Sequence, residues 1–138
     1  YLRFQTQPTI LNNILWYGIA ETTDAYYMGF YSILDSEPTI KKWHKLPKNH
    51  ELIKGMPKDL ETLAWFSDGY YNLNPMDTTD TFLFKDLRYP LMDESDPNSS
   101  IFKFTITKSN DRWEAAPFYV SDINEGARAA FWARLKGI

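Results

Sequence analysis

Residues 14–34 read ILWYGIAETTDAYYMGFYSIL, and this stretch decides the fold. Two runs rich in aromatic and apolar residues, 14–20 and 26–34, are separated by the polar connector Glu21-Thr22-Thr23-Asp24. Runs of this kind favour strands, and a four-residue polar connector has the length of a hairpin loop. The stretch therefore predicts an antiparallel strand pair. Apolar or aromatic side chains lie on both faces of the second run, which predicts that both faces are covered. Gly29, inside that run, predicts a bulge or a close approach of another segment.

Further segments with strand character follow later in the chain, at residues 70–73, 81–87 and 101–107. Residues 113–120 add a candidate edge strand, which Pro117 limits because proline has no N–H for a sheet ladder. Between the first strand pair and these segments, residues 41–58 contain six Lys and two His against one acidic residue, Glu51. Prolines and a glycine interrupt this stretch, so we expect a basic and largely irregular connector with one short turn at residues 50–53.

Two helices are predicted. Pro57 and Asp59 are typical of a first helical turn, and Gly69 can adopt the left-handed conformation that ends many helices. Near the C-terminus, Asp122 and Glu125 resemble a capping box, and the residues that follow place apolar side chains on one helical face. Together these elements predict an α+β fold, in which a mainly antiparallel sheet of five or six strands is covered by the two helices.

Length and composition narrow the classes of protein. A chain of 138 residues fits a single soluble domain, residues 1–138. Its net charge of −3 disfavours nucleic acid as a partner, because phosphate binding needs a concentrated positive field. The sequence has no Cys, which excludes disulfides and thiolate metal sites. No apolar run is long enough to span a bilayer, and because the sequence begins at Tyr1 without an initiator Met, we expect a C-terminal part of a longer protein.

The sequence gives no support for a zinc site, a nucleophilic serine or a phosphate-binding loop. The two histidines, His44 and His50, lie six residues apart in a Lys-rich stretch and lack the i, i+4 helical spacing that zinc sites use. Ser67 does not stand in a Gly-x-Ser-x-Gly elbow, and the six glycines form no phosphate-binding loop. We therefore expect no metal ion and no cofactor bound by these residues.

Four polar residues are the candidates for a ligand site: Asn12, Asp35, Asp86 and Arg88. Asp86 and Arg88 lie two residues apart on a predicted strand, so their side chains share a face and can form a structural ion pair. Alternatively, Arg88 is a bidentate anchor for a carboxylate or phosphate, and Asp86 orients it. Asp35, near Pro38, has a simpler reading in which it caps a turn.

Aromatic residues make up 17% of the chain and cluster in pairs such as Trp16-Tyr17, Phe30-Tyr31 and Tyr70-Tyr71. Aromatic residues on strands usually form core, and that is the favoured interpretation. A stacking platform for a sugar or another flat ligand is the alternative.

Several blocks, taken in order and spacing, carry a family resemblance: residues 8–16 (PTILNNILW), 26–32 (YYMGFYS), 47–49 (PKN), 65–71 (WFSDGYY) and 86–88 (DLR). The chain resembles the C-terminal extramembrane region of the bacterial membrane-bound metal-dependent hydrolase family, over residues 8–107. Members of that family carry an N-terminal half of transmembrane helices with His and Asp residues thought to bind metal.

The resemblance implies a function, a location and partners. It implies an accessory extramembrane domain that is not itself catalytic, in a protein of the bacterial inner membrane whose divalent metal and any hydrolase activity belong to the N-terminal region. The implied partner is that transmembrane region. In such a setting the Lys-rich residues 41–58 could also contact an anionic membrane surface, to which each Lys contributes about 1 kcal/mol.

Two alternatives from other functional classes stay open. One is a curved α+β cone that binds a small molecule in an aromatic pocket, or acts on it with an Asp as acid or base. The other is an oligomerisation module that dimerises through exposed aromatic residues.

Overall fold

The computed structural model describes residues 1–9, 13–89, 99–100, 102–118, 133 and 136–137. They belong to two compact units. The first unit is built mainly from residues 1–47, and the second from residues 48–88 and 102–118. Each unit has its own antiparallel sheet of four strands.

The sheet of the first unit, sheet A, is a meander of strands β1 (Arg3–Pro8), β2 (Leu15–Glu21), β3 (Ala25–Ser32) and β4 (His44–Pro47). The hairpin predicted from residues 14–34 is confirmed, with Leu15 opposite Ser32 and Glu21 opposite Tyr26. One face of this pair is fully buried and forms the core of the unit, because Tyr17, Ile19 and Met28 are each at most 1% exposed. We call it the inner face of sheet A.

The outer face of sheet A carries a pair of glycines, Gly18 on β2 and Gly29 on β3, directly opposite each other. A Cβ atom on Gly29 would overlap the Ile40 side chain and would lie 2.8 Å from the carbonyl oxygen of Lys42. The close approach predicted for Gly29 is therefore confirmed, and the register of the hairpin runs through it without a bulge. The glycine pair forms a trough that lets Ile40 lie directly on the sheet.

The sheet of the second unit, sheet B, is a second meander, of strands β5 (Tyr71–Pro75), β6 (Thr81–Asp86), β7 (Lys103–Ser109) and β8 (Arg112–Pro117). These bounds confirm the later strand segments, and β8 is the edge strand that Pro117 predicted. Asn110 and Asp111 join β7 to β8 with positive φ angles of 50° and 60°, which suits a tight hairpin turn.

A single α-helix, α1 (Lys58–Phe66), stands in the part of the chain that the structure describes, and it packs on sheet B. Leu60 enters a buried cluster with Tyr71 and Phe84. At its start, Asp59 Oδ2 accepts a 2.9 Å hydrogen bond from the backbone N–H of Ala115 and so ties the helix to edge strand β8. At its end, Gly69 has a φ of 71°, which confirms the left-handed residue predicted there.

The predicted fold class is wrong in two respects. The strands form two sheets of four, not one mainly antiparallel sheet of five or six, and the described residues contain one helix in place of two. The predicted C-terminal helix at residues 122–135 falls almost wholly outside the described residues. Two strands escaped prediction. β1 reads RFQTQP and shows no apolar alternation, and β4 lies inside the Lys-rich stretch 41–58, which is therefore less irregular than expected. The short turn expected at residues 50–53 is present as a 3₁₀ helix, His50–Leu52.

Candidate functional site

Asp86 and Arg88 form the predicted ion pair, although Arg88 lies in the turn after β6 and not on the strand, as was expected from their spacing. Asp86 is the last residue of β6 and its side chain is 1% exposed, whereas the Arg88 side chain is 24% exposed. The guanidinium Nη2 lies 2.8 Å from Asp86 Oδ2, and Nε lies 3.1 Å from Oδ1. Two parallel N–H···O bonds give the bidentate geometry that makes Arg–carboxylate pairs strong.

This pair also fixes the chain where β6 ends. The backbone N–H of Arg88 donates to Asp86 Oδ1 at 3.1 Å, so the carboxylate holds both the side chain and the backbone two residues on. The Arg88 guanidinium carbon lies 5.0 Å from the centre of the Phe66 ring, within the range of a cation–π contact. The backbone N–H groups of Asp86 and Leu87 donate to the carbonyl oxygens of Phe102 and Tyr70. Several segments of the second unit therefore meet at this turn.

Asp35 closes the turn that follows β3. Its Oδ2 accepts a 2.9 Å hydrogen bond from the backbone N–H of Ser32, and its own N–H donates to the Ser32 carbonyl at 2.9 Å. The Ser32 hydroxyl oxygen in turn accepts from the N–H of Leu34. This agrees with the interpretation of Asp35 as a turn cap. Asp35 and the Asp86–Arg88 pair belong to different units. Asn12 lies outside the described residues.

The His50 side chain packs against Tyr71 in the second unit. Its ring stacks on Tyr71 with centroids 4.0 Å apart, and its Nε2 lies 2.8 Å from the Tyr71 carbonyl oxygen. Tyr71 stacks in turn on Phe84 at 4.8 Å, and burial raises the pKa of the Tyr71 hydroxyl. His44 lies on β4 in the first unit. Within the described ranges no group of three or more His, Asp or Glu side chains could hold a metal ion.

A pocket of about 430 Å³ lies on the outer face of sheet A, and we call it the sheet A pocket. The lining residues that lie on strands are Thr6, Trp16, Tyr17, Gly18 and Tyr31. Trp16 and Tyr31 are direct cross-strand neighbours, and on the outer face they form the next pair after Gly18 and Gly29. Their side chains therefore stand beside the trough, where the Ile40 and Phe4 side chains lie against Gly18.

The remaining walls of the pocket come from segments outside the strands. Ile33, Pro38 and Ile40 follow β3, and Asn13 precedes β2. The indole N–H of Trp16 donates a 2.9 Å hydrogen bond to the carbonyl oxygen of Asn13, which fixes the ring and satisfies its polar atom. Of the described residues that line the pocket, none is Asp, Glu, Lys, Arg or His. The pocket thus offers flat and aliphatic surface with a few neutral polar groups.

Sequence reasoning found part of this pocket and missed the rest. The sequence favours core for the clusters Trp16-Tyr17 and Phe30-Tyr31, with a stacking platform as the alternative, and Trp16, Tyr17 and Tyr31 line the pocket. Ile33, Pro38 and Asn13 gave no signal of their own. The available signal was Gly29, whose predicted close approach indicated that another segment crosses the outer face, although the sequence did not indicate which one.

Comparison with protein-family models, with curated proteins and with solved structures found no match to this chain. None of the helical segments in the described ranges has the length and apolar character needed to cross a bilayer.

Proposed function

We propose that this chain is an accessory extramembrane domain that does not itself catalyse a reaction, in a bacterial membrane protein similar to the membrane-bound metal-dependent hydrolases. The observation that carries the non-catalytic part is the closed Asp86–Arg88 pair. A carboxylate that acts as acid, base or ligand needs an oxygen facing its substrate. Both oxygens of Asp86 instead accept hydrogen bonds from Arg88.

Asp35 supports the same proposal. Its carboxylate accepts a backbone N–H within a turn, as a structural Asp commonly does. These two carboxylates and Arg88 are the described members of the predicted polar site. The Asp35–Ser32 hydrogen bond joins residues of the first unit, and the Asp86–Arg88 pair joins residues of the second. In this proposal the three side chains stabilise local structure and take no part in catalysis.

The remaining parts of the proposal come from the resemblance. In this proposal the divalent metal, any hydrolase activity and the anchoring in the inner membrane belong to the protein's transmembrane region. That region is the domain's partner, and the domain shapes access to it or binds a further partner.

A turnover assay tests the non-catalytic part. The purified chain is incubated with a panel of chromogenic phosphate and carboxylate esters, with and without Mg²⁺, Mn²⁺ or Zn²⁺, and we expect rates equal to the protein-free blank. The matched variant is Asp86→Asn, checked for folding by circular dichroism. Turnover by the parent chain that the folded Asp86→Asn variant lacks would contradict the proposal.

A localisation experiment tests the membrane part. The full-length protein carrying an epitope tag is expressed in bacteria and fractionated, and we expect it in the inner-membrane fraction after a high-salt wash. Recovery in the soluble fraction would contradict this part of the proposal and leave the non-catalytic part standing.

A further inference from the structure

We propose that the sheet A pocket binds a neutral ligand through a flat apolar ring, which stacks against Trp16 and Tyr31. The volume of about 430 Å³ falls within the range of pockets that hold small molecules. This inference goes beyond the accessory role, because it concerns the first unit alone and holds whatever region the domain serves.

The shape of the pocket follows from the trough in the outer face. Gly18 and Gly29 have no side chains, so Ile40 lies against both of them, with Phe4 beside Gly18. At the end of the trough, Trp16 and Tyr31 stand side by side on neighbouring strands. Cross-strand neighbours have Cβ atoms about 5 Å apart, so the two side chains present adjacent aromatic surface. Such surface favours a planar partner, which stacks on it at low entropic cost.

The polarity of the pocket selects a neutral ligand. No charged side chain lies among its described lining residues, so nothing there compensates for the loss of water around an ion. The indole N–H of Trp16 is already bonded to the carbonyl oxygen of Asn13. The side chains of Thr6 and Asn13 supply neutral hydrogen-bonding groups at the edge. This pattern, mainly apolar with few polar groups, is typical of small-molecule sites.

A matched pair of fluorescent probes tests the ligand class. N-phenyl-1-naphthylamine is neutral, and 8-anilino-1-naphthalenesulfonate carries the same rings with an added sulfonate. We expect saturable one-to-one binding of the neutral probe, and binding of the sulfonate that is weaker by about tenfold or more. Equal or tighter binding of the sulfonate, or no saturable binding of the neutral probe, would overturn the proposal.

Matched variants test the location of the site. Ile33 lines the pocket and is 54% exposed, whereas its neighbour Leu34 is 57% exposed and is not a lining residue. Because both side chains reach solvent, we expect Ile33→Asp and Leu34→Asp to fold alike. Ile33→Asp should weaken binding of the neutral probe by about tenfold, because it places a charge beside the bound ring, and Leu34→Asp should leave binding unchanged. Equal affinities in the two variants would overturn the location.

A tryptophan pair tests the stacking. Trp16→Ala should weaken binding of the neutral probe by about tenfold, whereas Trp65→Ala, at an 81% exposed position in the second unit, should have no effect. If Trp16→Ala does not fold, the Ile33 and Leu34 variants decide the location. Displacement of the probe by methyl β-glucopyranoside would identify a carbohydrate site and overturn the apolar character of the ligand. Because none of these measurements uses turnover, their failure is distinguishable from that of the accessory role.

Discussion

Replacing Arg88 with Met leaves the Asp86 carboxylate buried without its cationic partner. Methionine keeps much of the aliphatic stem, so the change removes charge and hydrogen bonds more than it removes packing. After the substitution, the contact from Arg88 that the carboxylate retains is the backbone N–H of residue 88 at 3.1 Å. We therefore expect a large loss of stability in the second unit.

The size of this loss follows from the burial of the two side chains. Removing one partner of a buried ion pair costs about 3–5 kcal/mol, because the remaining charge is left uncompensated. The Asp86 side chain is 1% exposed, which favours the full cost, but the Arg88 side chain is 24% exposed, so solvent already screens part of the pair. Loss of the Phe66 contact adds about 0.5 kcal/mol. We expect a decrease of about 3 kcal/mol in the free energy of unfolding.

Urea denaturation, followed by tryptophan fluorescence, measures this decrease. The control is Arg112→Met, the same substitution at an exposed position on β8 of the same sheet, for which we expect a change within about 0.5 kcal/mol. The double variant Asp86→Asn/Arg88→Met should be less destabilised than the sum of its single variants by about 2 kcal/mol, because it contains no unpaired charge. A change below about 0.5 kcal/mol in Arg88→Met would refute the reasoning.

Three further predictions concern packing and ionisation. Gly29→Ala should destabilise the chain by about 1–3 kcal/mol in urea unfolding, because its Cβ would collide with the backbone at Lys42. The control Gly18→Ala, whose Cβ would meet only side-chain ends at 3.1–3.3 Å, should cost about 1 kcal/mol or less. Equal costs would contradict the close backbone approach at Gly29. His50→Ala should lower the stability by about 1–2 kcal/mol in thermal unfolding, through loss of the stack on Tyr71 and the bond to its carbonyl, and an unchanged melting temperature would count against it. Burial raises the pKa of Tyr71, so the folded chain keeps that proton to higher pH than the unfolded chain; its contribution to stability is intact below about pH 10 and is lost as the pH rises through the folded pKa. The tyrosinate absorbance of the parent chain minus that of Tyr71→Phe should show this late titration, and a difference curve centred at or below the ordinary tyrosine pKa would refute it.

Local signals predicted the local structure of this chain well. The hairpin of β2 and β3 has apolar runs and a polar connector of suitable length, and α1 has Pro57 before it and Gly69 after it. Strand β1 could not be found in this way. Its residues alternate between intermediate and exposed positions, so no apolar period marks it, and it is a strand because its backbone pairs with β2.

The division into two sheets depends on long-range pairing that the sequence does not display. β4 reads HKLP and pairs with β3 over four residues. Leu46 is its one buried side chain, so its sequence differs little from that of an irregular basic segment. Strand β4 forms that edge of sheet A, and the later strands pair among themselves in sheet B. Because the Lys-rich stretch predicts a connector, the sequence predicts no strand there and places the remaining segments in one sheet.

The candidate functional residues are likewise predictable from the sequence only in part. The spacing of two residues predicts that Asp86 and Arg88 meet, but on one face of a strand. In the structure β6 ends at Asp86, and Arg88 lies in the turn that follows, where its backbone N–H also donates to Asp86 Oδ1. Predicting the sheet A pocket requires knowing which segment crosses the outer face of sheet A. Gly29 indicated a close approach, but the side chain that fills the space, Ile40, comes from a segment with no strand or helix period.

The most direct test of whether Arg88 serves the fold or a ligand is the NMR signal of its Nε–H group in ¹⁵N-labelled protein. This hydrogen donates to Asp86 Oδ1 at an N···O distance of 3.1 Å. If the pair is structural, the signal should exchange slowly with solvent and stay in place when phosphate or acetate is added. A fast-exchanging signal that shifts saturably with phosphate or acetate would show that Arg88 is a ligand anchor and would contradict the account.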